Sequence, residues 1–120
     1  MLKFFLAIDG ARGPALLTEQ SLRLMRQAPA HLPVGGAGPA SYYGLGVHVF
    51  RHGQGDNWWH DGSQPGLMSL AVRSSAGYSW VVALNLRPRR EDRAIFFSEL
   101  DQGLWRAARS VAVWPEGDLF

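Results

Sequence analysis

Cysteine is absent from the 120 residues. No disulfide framework, thiolate nucleophile or thiolate metal site can therefore exist in them. Lysine is nearly absent too: of twelve basic residues, eleven are arginine and one is Lys3. No Ser-x-x-Lys motif fits, because no residue lies three places before Lys3. Charge of one sign is also scarce. A net charge of +2 is too small an excess to argue for nucleic acid as a partner. No apolar run approaches the ~18 residues that a membrane-spanning helix needs, so no membrane span is expected. The opening "MLKFFLAIDG" holds one base and an apolar run broken by Asp9. It lacks the long apolar region and small-residue cleavage site of a secretory leader, so no signal peptide is read and the compartment is left unassigned.

What is present is a globular composition. Hydrophobic residues make up 47% of the chain, enough for a core. The length suits one domain, with no repeats and no low-complexity tract. Residues 1–28 read as two short helices. Leu2, Phe5 and Leu6 share a face in the first, and the cluster Asp9 to Pro14 breaks it. Thr18 is placed to cap the second, Leu22 and Met25 face inward, and Pro29 ends it.

Residues 41–86 read as an antiparallel sheet of about four strands. Tyr43, Leu45, Val47 and Val49 alternate with Gly44, Gly46, His48 and Phe50, the period of one strand. "RHGQGDN" reads as a hairpin turn, 57–60 as a short strand ended by Asp61-Gly-Ser-Gln-Pro-Gly66, and Leu67–Arg73 as a third strand. "YSWVVALNL" is almost continuously apolar and reads as a central strand buried on both faces. Residues 90–110 read as the C-terminal helix. Glu91 and Asp92 stand at its start, Arg106 and Arg109 at its end, and Phe97, Leu100, Leu104 and Ala108 form its apolar stripe. The expected class is α+β, with the C-terminal helix laid on one sheet face and the two short helices beside it.

Several stretches carry possible chemistry. His60 sits between two tryptophans and a polar, glycine-rich run, "WHDGSQPG". His60 and Ser63 could meet across a turn as a base and a nucleophile, but such a dyad also needs an orienting group and an oxyanion pocket. His48, His52 and His60 could approach one another across a hairpin, yet no carboxylate or cysteine spacing supports a metal, and none is expected. The Arg87, Arg89, Arg90, Arg93 cluster is interleaved with Glu91 and Asp92 and reads as a solvated helix entrance. Trp58, Trp59, Trp80 and Trp105 read as core or interface residues.

Taken in order, "FFLAIDGARGPALLTEQSLRLM", "YYGLGVHVF", "HDGSQPGLMSLAV" and "SWVVALNL" resemble the closing part of the serine β-lactamase-like family. That family includes class C β-lactamases, penicillin-binding proteins, esterases and D-aminopeptidases. The resemblance spans nearly the whole chain and rests on the ordered set rather than on one motif. It implies a partial β-lactamase/transpeptidase-like fold and hydrolysis through a serine acyl-enzyme, with no cofactor. It maps the family's third element, Lys-Thr-Gly or His-x-Gly, onto His60, Asp61 and Gly62, and the amide that helps form the oxyanion hole onto Ser63. A glycine there leaves room for substrate, and a fixed amide donor stabilises developing negative charge.

Two departures stand beside the likeness. Ser-x-x-Lys and Tyr-x-Asn are both missing, and Asp61 replaces the commoner Thr or Gly. The expectation is a C-terminal portion of such a hydrolase, with substrate-binding His60, Asp61, Gly62 and Ser63 but no catalytic nucleophile, inactive alone. Its expected partners are a complementary N-terminal β-lactamase-like segment or further copies of itself. The rival expectation is a truncated, non-catalytic relative that only binds or self-associates.

Overall fold

A computed structural model describes residues 1–32, 41–53 and 55–115. The class is α+β: two short helices, a five-stranded antiparallel sheet and a long final helix. The chain divides into two compact units, Met1–Leu86 and Arg87–Phe120.

In the first unit, helix α1 (Leu2–Ile8) and helix α2 (Glu19–Met25) precede the strands. Thr18 caps α2 as the sequence requires: its hydroxyl accepts the Ser21 N–H at 3.2 Å. Between the helices, Gly10 takes a φ of 72°, a left-handed turn that suits glycine. There Asp9 ties the chain to the sheet, since its carboxylate accepts from Arg73 Nε at 2.8 Å and from the Ala11 N–H at 3.1 Å.

The strands are β1 (Ser41–Tyr43), β2 (His48–His52), β3 (Gly55–Gln64), β4 (Leu67–Arg73) and β5 (Ser79–Leu84). They pair antiparallel in chain order, β1-β2-β3-β4-β5. The register sets Tyr42 opposite Val49, Val49 opposite Trp58, and Trp58 opposite Arg73, so these side chains share one face. On that face the core gathers: Phe5, Tyr42, Val47, Val49 and Trp58, with Ile8, Met25, Leu32 and Ala71 packed around them. The Phe5 and Trp58 rings lie 4.7 Å apart at 50°, an arrangement that aromatic quadrupoles favour. The other face carries Met68, Leu70 and Val72, all buried.

Three expectations about the sheet are corrected. The single strand at 43–50 is two strands joined by a tight turn. Gly44 N–H donates to the Val47 carbonyl at 2.8 Å, and Gly46 takes a φ of 81°. Leu45, which continues the alternation, is thereby thrown outward and exposed. The Asp61–Gly66 segment is not a turn. Residues 61–64 continue β3, and the reversal is confined to Pro65 and Gly66, whose φ is 74°. Proline followed by a positive-φ glycine is the type II turn pairing, so two residues suffice. β5 lies at the end of the sheet order rather than at its centre, and most of its residues are half-buried.

In the second unit, helix α3 (Arg93–Ser110) follows the arginine-rich stretch. It starts later than the sequence suggests, with Asp92 as its cap residue, so Glu91 lies outside its first turn. Ala108 is buried and Phe97, Leu100 and Leu104 are half-buried along the expected stripe. No helix among the described residues is long and apolar enough to cross a membrane.

Candidate functional site

Strand β3 outruns β2. The β2–β3 ladder ends with His48 opposite Trp59, whereas the β3–β4 ladder continues to Gln64 opposite Leu67. Beyond Trp59, therefore, the described residues give β3 a ladder partner on one side only. His60, Asp61, Gly62 and Ser63 all fall in this overhang.

The hairpin fixes where their backbone groups point. Gln64 and Leu67 flank a two-residue loop and form a hydrogen-bonded pair. Alternation then directs the N–H and C=O of Gln64, Gly62 and His60 to β4. Those of Ser63 and Asp61 turn to the opposite side.

Side chains alternate as well. His60 and Gly62 share one face, and Asp61 and Ser63 the other. A His60–Ser63 dyad is thus excluded. Two residues three apart on an extended strand project to opposite faces, about 10 Å apart along the chain. Gly62 is opposite Ser69, and a Cβ on Gly62 would stand 2.6 Å from the Ser69 hydroxyl oxygen. The space over the glycine belongs to a side chain of the neighbouring strand. That is a different reason for glycine from the expected room for substrate.

Asp61 meets a residue that the sequence does not single out as its partner. Its Oδ1 lies 3.5 Å from His48 Nε2, and each side chain is 38% exposed. The attraction is ionic only when the imidazole is protonated, and at this exposure it is worth little as a stabilising pair. Aromatic rings fix the imidazole. His48 stacks on Trp59 at 5.2 Å and 14°, and Tyr43 meets it edge-on at 4.7 Å. Tyr43 also reaches the His60 ring at 6.5 Å. The result is an imidazole–carboxylate pair on an aromatic floor beside the overhang, a pairing of the kind that passes a proton once a reacting group is at hand. The signal in the sequence was a register signal: His48 lies opposite Trp59, two residues before Asp61, only once the 44–47 turn is known.

Among the described residues no three His, Asp or Glu side chains are grouped to hold a metal ion. The side chain of His52, one of the three histidines considered, lies outside the described set. Searches of protein-family models, curated proteins and solved structures return no match for this chain.

Proposed function

We propose that this chain supplies the substrate-binding strand of a β-lactamase-like serine hydrolase, with the acylated serine contributed by residues outside these 120. The observation that supports the reading is the β3 overhang. His60, Asp61, Gly62 and Ser63, on which the sequence likeness converges, lie on the part of β3 that extends past β2. The backbone of Ser63 turns to the side away from β4, which supports a role for its amide as the oxyanion donor of this reading. One such donor is worth about 10²–10³ in rate. The His48–Asp61 pair flanks the same stretch, which supports a part for it in proton transfer.

The chemistry needs an amine-activated hydroxyl, and these 120 residues hold neither Ser-x-x-Lys nor Tyr-x-Asn. Hydrolysis therefore requires assembly with a segment carrying Ser-x-x-Lys and Tyr-x-Asn. The test is co-expression with such a segment encoded beside this one, then labelling with a fluorescent penicillin and assay with nitrocefin and a simple ester. Turnover in the mixture and none in either part supports the proposal. No labelling and no turnover in a verified complex overturns it.

A second reading has the same origin. An overhanging strand recruits another strand without any chemistry, so a binding or self-associating module is its natural alternative. Light scattering separates the two: concentration-dependent assembly without turnover favours the module.

A further inference from the structure

We infer that the cavity between α2 and the β2–β3 hairpin binds a tetrahedral oxyanion, either inorganic phosphate or the phosphate group of a small ester. The cavity is about 300 Å³ and is lined by Arg23, Arg26, Gln27, Arg51 and Asp56. That volume is at the small end of the range for small-molecule sites. It lies at the opposite end of β3 from His60–Ser63, and its role does not depend on the hydrolase reading.

Three of the five lining residues are arginines, from two different elements. Helix electrostatics account for part of this. Arg23 is in the last turn of α2 and Arg26 caps it, where cations offset the negative end of the dipole. They do not account for Arg51, which comes from a strand. One buried residue organises both sides. The Tyr42 hydroxyl donates to the Arg26 carbonyl at 2.7 Å, and the Arg51 guanidinium lies over the Tyr42 ring, 5.1 Å from its centroid. Arg26 is further tethered through its Nε to the Leu22 carbonyl at 3.3 Å. Arg26 and Arg51 are thus held from two directions before any ligand arrives, which removes part of the ordering cost of binding. A planar carboxylate suits a single guanidinium fork. Guanidiniums brought to one lining from a helix end and a strand suit an anion with several oxygens.

The charge balance sharpens the inference. Glu19 engages Arg23 at 3.1 Å, and Asp56, the cross-strand partner of Arg51, is in the lining. Asp56 therefore opposes an incoming anion and tempers the site.

The experiment titrates the full chain with inorganic phosphate, glycerol phosphate and acetate at matched ionic strength, following arginine Nε–Hε resonances and heats of binding. Saturable shifts at Arg26 and Arg51 with phosphate, exceeding those with acetate, are expected. Arg51→Gln, an exposed substitution, and Arg26→Gln each weaken binding by about tenfold, the cost of one charge-assisted hydrogen-bonding partner. Asp56→Asn strengthens it by about threefold, the Coulomb repulsion across ~7 Å of water. Arg12→Gln, outside the lining, changes nothing. Binding of both phosphate arms assigns the site to the phosphate group, and binding of inorganic phosphate alone assigns it to the free ion. No saturable shift, equal response to acetate, or full affinity in Arg51→Gln overturns the inference.

Discussion

Substituting Gly62 by alanine tests the packing of the overhang in a way that changes sign with a neighbour. Gly62 is in the extended interior of β3 and is not a positive-φ glycine, so alanine is allowed by the backbone. Removing chain entropy from the unfolded state favours alanine by about 0.5–1 kcal/mol. Against this, the new Cβ would stand 2.6 Å from the Ser69 hydroxyl oxygen. Overpacking of that kind costs about 1–3 kcal/mol. The balance is a net loss of about 1 kcal/mol for Gly62→Ala in the native background. In a Ser69→Ala background the offending oxygen is gone, and the Ser69 Cβ lies at 4.0 Å, an ordinary contact. There the same change should stabilise by about 0.5 kcal/mol, a coupling of about 1–2 kcal/mol between the two positions. Urea unfolding followed by tryptophan fluorescence on the four proteins measures it. If Gly62→Ala stabilises both backgrounds alike, the serine hydroxyl swings aside freely, and the account of why glycine stands there fails.

Two further perturbations follow from the core and from α3. Trp58→Ala removes a side chain that is 2% exposed and in ring contact with Phe5, and should cost about 3–5 kcal/mol by thermal or urea unfolding; a cost under ~1 kcal/mol would show that α1 is not secured through this ring pair. Asp101 has its pKa raised above the usual 3.8 by burial, so folding disfavours its charged form. The unfolded chain ionises first as pH rises, and stability falls across that window and stays lower above it. Asp101→Asn should accordingly be more stable than the parent at neutral pH, with the gain disappearing below pH 3.8. A gain that is equal at both pH values would assign the effect to something other than charge.

The helices and β4 were legible because their punctuation is local. Thr18 needs only Ser21 to act as a cap, and Leu67–Arg73 is bracketed by Pro65-Gly66 and by a turn in which Ser74 N–H donates to the Tyr78 carbonyl. The 44–47 turn was hidden because apolar alternation runs straight through it. Its requirement is tertiary: a Cβ on Gly44 would collide with the Met25 carbonyl at the end of α2, and that carbonyl also accepts the Leu45 N–H at 2.9 Å. The polar run from Asp61 to Gln64 looked like a loop, yet it stays extended opposite β4, with Gly62 and Gln64 bonding into that ladder. The apolar run in β5 carried no mark of its place in the strand order. As for the site, the sequence pointed to residues 60–63, whereas the pairing of Asp61 with His48 depended on a register that no single segment encodes.

Each strand of the sheet lies beside the strand that precedes it in the chain. Such a meander closes by successive hairpins, and no pairing has to wait for a distant segment to find its place. The slow search that burdens sheets with crossover connections is spared, so assembly of this one should proceed quickly from either end of the strand series.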